Sequence, residues 1–224
     1  MGNVCFVFAS FLEHDHTGIC NLLESKARQG WMFEKQMLLG MKFRRMQPKN
    51  RKFQAVYLPQ GESTAEMLER LKEFCVKDGW IYLTNLSGKY IFYNDSSDPV
   101  PIETDPIVQI ENVDRCMQKQ LRMYKVLMIV IGSSLIVKVF RLATNMDIFF
   151  WSTVLISISQ ALLVLMYALT IKEYSVWYKE ALTAATEYGV FTPTKTKYST
   201  LLAVLERLIA ILILLCIAFL LLEW

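Results

Sequence analysis

A chain of 224 residues with 54% hydrophobic side chains is richer in apolar groups than a soluble domain, where about 45–50% is usual. A net charge of +3 is too small to mark a nucleic-acid binder. The five cysteines (Cys5, Cys20, Cys75, Cys116 and Cys216) are odd in number, widely spaced and free of any CxxC, which argues against a disulfide framework or a zinc ribbon and for reduced thiols.

The opening residues lack a basic n-region, and their apolar run breaks at Glu13, His14 and Asp15, so no signal peptide is expected. Residues 4 to 95 contain an internal repeat. A shift of 49 positions carries Gly30–Trp31 onto Gly79–Trp80, Val7 onto Val56, Glu13 onto Glu62, Leu22 onto Leu71, Glu24 onto Glu73 and Phe43 onto Phe92. Each unit reads strand, helix, strand, strand. The first has a strand over 5–9 and a helix over 16–29, with Ile19, Leu22, Leu23 and Ala27 on one face. The second has a strand over 54–58 and a helix over 63–78. Ser63 and Glu66 form a capping-box pattern, and Met67, Leu68, Leu71, Phe74 and Cys75 make the apolar face.

Both helices stop at a glycine, Gly30 or Gly79, and both run straight into a tryptophan, Trp31 or Trp80. Two-strand segments follow over 31–46, turning near Gly40, and over 80–95, turning near Ser87–Gly88. Two helices and six strands suit an α+β class: a duplicated β-α-β-β two-layer sandwich, with both helices on one face of an antiparallel sheet. Trp31 and Trp80 are expected to wedge between helix and sheet, with a ligand site as the alternative.

Residues 1–95 therefore form the duplicated domain, and 96–123 a linker and juxtamembrane helix. Turn formers and prolines fill 94–106; Asp105 can cap a new helix and Pro106 can start it. Ile107, Ile110, Val113, Met117 and Leu121 recur at helical spacing, predicting a helix that continues into a first span. Residues 124–224 read as a membrane domain of about three transmembrane helices near 124–140, 148–171 and 201–222. Lys138, Glu206 and Arg207 sit close enough to span ends to reach headgroups. Arg115, Lys119, Arg122, Lys125, Lys172, Lys179, Lys195 and Lys197 fall on one side and Lys138 and Arg141 on the other. The bias predicts a multi-pass protein of the cell membrane with a cytoplasmic N-terminus and an outside C-terminus at Glu223–Trp224. Residues 172–188 read as a separate interfacial helix, with Tyr174, Trp177, Tyr178 and Leu182 on one side and Gly189 as its stop.

Catalytic patterns are missing. There is no GxGxxG, no GxxxxGK[ST], no HExxH and no GxSxG, so neither an enzyme nor a cofactor is expected. His14 and His16 flank Asp15, but a metal site needs three or four ligands, and a solvated loop is the expectation. Lys42, Arg44, Arg45, Lys49, Arg51 and Lys52 form a basic run. A solvated strand face and turn is the plain reading, anionic lipid headgroups the functional one, and nucleic acid is disfavoured because few aromatics interleave. Gln160 is the strongly polar side chain near the middle of a span and can bond between helices.

The stretches LLESKARQGWMFEKQ…GMKFRRMQP, LERLKEFCVKDGWIYL…GKYIFYND and PIETDPIVQIENVDRC resemble the bacterial "domain of unknown function 2812" family over about residues 4 to 125. The resemblance implies C-terminal hydrophobic helices and supplies no catalytic or binding residue set. Genes of that family often lie beside PadR-like regulators, which implies a regulated membrane function. The expected role is thus a sensing or protein-interaction module with the lipid bilayer and an unidentified protein as partners. The alternative is an accessory subunit of a membrane complex or a small transporter. Oligomeric state is left open by these residues.

Overall fold

The computed structural model of the chain describes residues 3–9, 11–37, 40–58, 64–86, 88–103, 105–144, 150–194 and 199–222. Glu62, Ser63, Ser87, Lys195, Lys197, Glu223 and Trp224, used above for the repeat, a cap, a turn and the charge bias, lie outside the described residues, as does the side chain of Cys216. Cys5, Cys20, Cys75 and Cys116 are free thiols. The chain divides into two compact units: Met1–Gln118 with Ser175–Thr196, and Lys119–Tyr174 with Lys197–Trp224.

In the first unit the elements run β1 (Val4–Val7), α1 (His16–Arg28), β2 (Trp31–Met37), β3 (Gly40–Arg45), β4 (Lys52–Tyr57), α2 (Thr64–Lys77), β5 (Ile81–Leu86) and β6 (Lys89–Asn94). The class is α+β. The single sheet expected from the sequence is replaced by two three-stranded antiparallel sheets, ordered β1-β3-β2 and β4-β6-β5. Each carries a bulge on the strand that follows its helix, between Phe33 and Lys35 in one and between Tyr82 and Thr84 in the other.

The two helices also fail to share one face. Ile19, Leu23 and Ala27 of α1 pack with Phe33, Met41 and Phe43 of the first sheet, and with Phe53, Leu86 and Ile91 of the second. Met67, Leu68, Leu71 and Cys75 of α2 pack with Val56, Trp80, Tyr90 and Phe92. Ile91 alternates with Tyr90 and Phe92 along β6, so α1 and α2 cover opposite faces of the second sheet. The physical reason is visible in β6, which is apolar on both faces and must be covered twice. Phe74, placed on the α2 core face by its spacing, is instead 58% exposed.

Both Gly-Trp junctions turn through left-handed glycines, Gly30 with φ 79° and Gly79 with φ 78°. The tryptophans then part company. Trp80 is 3% exposed and its indole N–H donates to Val100 O at 2.7 Å. Trp31 is half-buried at the edge of the α1 cluster, with the Arg45 guanidinium 4.9 Å above its ring.

Three further helices follow: α3 (Pro106–Ala143), α4 (Phe150–Tyr188) and α5 (Ser199–Leu222). The Asp105 carboxylate caps α3, accepting from Ile107 N at 2.9 Å and Val108 N at 3.4 Å, and Pro106 opens it where no donor is needed. The juxtamembrane segment and the first apolar stretch are thus one helix of 38 residues. Residues 172–188 are likewise no separate interfacial helix: they continue α4 to Tyr188, and Gly189 ends it at φ 63°. Trp177, Ala181 and Ala185 form a buried stripe at four-residue spacing, while Leu182 is exposed. Of the face read from the sequence, Tyr174 is buried with Trp177, while Ala181 and Ala185 rather than Leu182 continue it.

Among the described residues, α3 and α4 are the two helices long and apolar enough to cross a membrane. Within the second unit the Tyr124 and Tyr167 rings stack at 4.9 Å. Gln160 accepts from Lys138 Nζ at 3.1 Å and donates to Ser134 Oγ at 3.4 Å.

Substitutions at the junctions should separate these roles. A Cβ on Gly30 would lie 2.9 Å from the Met46 carbonyl oxygen, whereas on Gly79 it would meet the Asn94 amide side chain at 3.3 Å. Gly30→Ala should therefore cost more than the about 1–2 kcal/mol of a left-handed Cβ alone, and Gly79→Ala close to that. Trp80→Ala should cost about 3–5 kcal/mol and Trp31→Ala about 1–2 kcal/mol. Denaturant unfolding of the purified full chain checks the ranking.

Candidate functional site

The segment from Leu12 to Thr17, expected in solvent, packs into the first unit, with His14 and Asp15 buried and the residues on either side half-buried. Lys89 of β6 donates to the carbonyls of Leu12 at 2.9 Å and Glu13 at 3.1 Å, and the Tyr57 hydroxyl donates to Glu13 O at 2.9 Å. Asp15 then caps α1, its Oδ1 accepting from Gly18 N at 2.8 Å. The same oxygen accepts from the Thr194 hydroxyl at 2.7 Å. Thr17 N donates to Thr194 Oγ1 at 3.1 Å, and Thr194 N donates to Thr17 Oγ1 at 3.0 Å. The clasp pins the segment after α4 to the start of α1. The rings of Trp177 and Phe191 close over the histidines, at 5.9 and 4.8 Å from His16, and Trp177 also lies 5.7 Å from His14.

Burial dominates the electrostatics here. It pushes His14 down to about 3 and His16 down to about 4, so both imidazoles are neutral at pH 7. It lowers Lys89 to about 8, against the pull of Glu13 and Asp15, and raises Tyr57 well above the usual phenol range. Cys20 is raised to about 12, first by burial and then by Glu24, so its thiol is a poor nucleophile. His16 Nδ1 lies 3.1 Å from the His14 carbonyl oxygen. A carbonyl only accepts, so Nδ1 carries the proton and Nε2 presents a lone pair. That Nε2 is buried and has no hydrogen-bond partner among the described residues.

Beside this cluster lies a cavity of about 280 Å³ within the first unit. His16, Thr17, Cys20, Asn21 and Glu24 wall it from one face of α1, and Phe53 to Tyr57 from β4, the edge strand of its sheet. Gln109, Asn112 and Val113 reach it from the first turns of α3, with Glu103 just before them and Phe191 and Pro193 from the segment after α4. A wider recess of about 600 Å³ shares Phe53, Gln54, Glu103, Gln109 and Phe191 with it, so the two meet. Among the described residues no group of His, Cys, Asp or Glu is placed to hold a metal ion.

The basic run is dispersed. Lys42 pairs with Glu34 at 2.8 Å, with Arg44 4.0 Å from the same carboxylate. Arg45 turns back to Gln29 O at 3.2 Å. Lys49 and Arg51 share Asp95 at 2.5 and 2.7 Å, and Lys52 lies 3.8 Å from Glu24. Gly30, Trp31, Gly79 and Trp80 stand at the helix ends, although Trp80 also lines the wider recess. Sequence reading singled out His14 and His16 and put Trp177 on an interfacial helix, but missed Lys89, Tyr57 and Thr194. A lysine inside an apolar strand, KYIFYN, was the available signal for Lys89; the others carry none.

The depressed histidines set an acid limit. Unfolded, both titrate near 6.5; folded, they stay neutral down to about 4 and about 3. The unfolded chain binds the extra protons, so their contribution is present above pH 6.5 and is lost as pH falls toward 4. The slope is up to about 1.4 kcal/mol per pH unit for each histidine. Unfolding free energies between pH 7 and 4.5 should fall with that slope, and the His14→Gln/His16→Gln double variant should be flatter. An equal slope would remove the assignment.

Comparisons with known proteins bear on the first unit. No curated protein and no solved structure matches the chain. A family model described as a protein of unknown function, DUF2812, matches residues 18–128, a stretch that runs from the first turn of α1 through β2 to β6 into α3. By that match the chain belongs to the DUF2812 family.

Proposed function

We propose that this protein is a membrane-anchored sensing module whose first unit binds a small molecule. The cavity is the observation that carries the reading: it is walled by the first turns of α3 and by the segment that follows α4, and these two helices run on into the second unit. A ligand that binds one arrangement of those elements better than another shifts their equilibrium by that difference in affinity. The role is non-enzymatic, with Cys20, the thiol on the cavity wall, held protonated. Binding of a protein partner that reads the change completes the module.

The membrane arrangement belongs to the same proposal. Thr17 and Thr194 are bonded to each other, so both lie on one side of any bilayer. The chain between them then crosses an even number of times, which α3 and α4 supply, and α5 makes a third span. The Lys and Arg bias assigns the first unit to the cytoplasm. Val4 and Phe6 stand on the outer face of the first sheet opposite Arg44 and Lys42, a mixed surface suited to anionic headgroups. We also read the two β-α-β-β units as a duplication: matching strand orders, bulges and left-handed glycines support it.

A second reading rests on the second unit. Lys138, Gln160 and Ser134 form a polar chain between α3 and α4, and ionisable groups inside spans mark transport paths. A small transporter or an accessory subunit would use that chain.

Two measurements test the leading reading. Asn112→Trp should fill the cavity; mass spectrometry of small molecules released from the purified full chain should then find a compound in the wild type that the variant, with an unchanged thermal midpoint, lacks. No difference would remove the sensing role. For topology, single cysteines in a cysteine-free background should be labelled from outside intact cells at Thr144 and stay protected at Ser96. Labelling at Ser96 without permeabilisation reverses the orientation.

A further inference from the structure

The cavity wall specifies a ligand class. His16 faces it as a neutral imidazole whose Nδ1–H is held by the His14 carbonyl, leaving Nε2 as a buried acceptor without a partner among the described residues. A buried acceptor is stabilised by a donor, and an anion brings none. The charged side chains on the wall are two carboxylates, Glu24 and Glu103, with no lysine or arginine among the lining residues. Glu24 is only loosely neutralised, with Lys52 at 3.8 Å and Arg28 at 4.0 Å. No ion pair to Glu103 is present among the described residues. The nearby Lys89 ammonium is occupied by the carbonyls of Leu12 and Glu13. The rings of Phe53, Tyr57 and Phe191 supply the apolar part of the wall, and ring faces attract cations.

We propose that this cavity binds a small organic ammonium ion with an apolar body, its N–H donating to His16 Nε2 and its charge held by Glu24 and Glu103. The assignment deepens the sensing reading and rests on it. Each competing class leaves something unmet. An anion meets two carboxylates and no cation among the lining residues. A neutral alcohol can donate to His16 but brings no counter-charge to Glu103, which has none among the described residues, and adds none to the loose pairing of Glu24. A quaternary ammonium satisfies the carboxylates and rings but offers no N–H to the imidazole. At about 280 Å³ the cavity is at the small end of ligand pockets, the size for one ring and a short chain.

Three near-isosteric probes separate these classes: 2-phenylethylamine, 2-phenylethanol and 3-phenylpropionate, titrated calorimetrically into the purified full chain. The amine should bind at least about tenfold more tightly than the alcohol, a difference of about 1.4 kcal/mol, and the acid should not compete. Glu103→Gln and His16→Phe, the second keeping a ring against Phe191, should each weaken the amine about tenfold or more. If His16→Phe unfolds, Glu103→Gln in the linker before α3 decides alone. Failure of the amine to bind, equal binding of amine and alcohol, or an unchanged affinity in Glu103→Gln overturns the proposal. Should the alcohol or the acid bind in an Asn112→Trp-sensitive way while the amine does not, the ammonium class falls and the sensing reading stands.

Discussion

The Asp15 carboxylate holds three things at once. It caps α1 through Gly18 N, accepts from the Thr194 hydroxyl, and anchors the reciprocal pair between Thr17 and Thr194. A carboxylate that is 2% exposed is costly unless its lone pairs are filled, and here donors from two distant parts of the chain fill them. Gly18 matters to this arrangement because a Cβ there would collide with the carboxylate. Without the clasp the segment bearing Phe191 and Pro193 is held against α1 by the contact of the Phe191 ring with His16, and this wall of the cavity is weakened.

The same region is rich in groups that burial disfavours in their charged forms. His14 and His16 resolve the cost by staying neutral, whereas Lys89 keeps hydrogen bonds to two carbonyls and remains basic enough to be charged at neutral pH. A cluster of this kind adds little net stability, since each ion must recover its lost hydration. What it supplies is geometry. Lys89 and Tyr57 fix the Leu12–Glu13 carbonyls, and the turn that follows presents His16 to the cavity with a defined tautomer. Sites that break the ordinary rule of apolar interiors are where function concentrates.

The two long helices are built on a different logic. Their apolar stretches need little from neighbouring side chains, so Ser157, Ser159 and Thr170 satisfy their hydroxyls on carbonyls one turn back in their own helix. Lys138, Gln160 and Ser134 are the exception, a hydrogen-bonded chain reaching from α3 to α4. In an apolar medium such a chain fixes helix register more than it adds stability.

Local pattern made much of the architecture legible. Three- and four-residue spacing identified α1 and α2 to within a residue or two, the Gly-Trp junctions marked both C-caps, and Asp105–Pro106 marked the start of α3. These features depend on near neighbours, so the sequence alone contains them. It also contained the long apolar runs of α3 and α4, because length and composition suffice to recognise such a helix. Tertiary structure decided the rest. Periodicity states that a face is buried and not what buries it, so six strands could not be divided between two sheets, and α1 could not be assigned to both. On α4 the buried stripe keeps Tyr174 and Trp177 but continues through Ala181 and Ala185 instead of Leu182, since burial is set by what packs against the helix. The histidine loop was misjudged for the same reason on a longer scale: Asp15 meets its donor 179 positions away, and no local pattern encodes a contact that only chain folding brings into range.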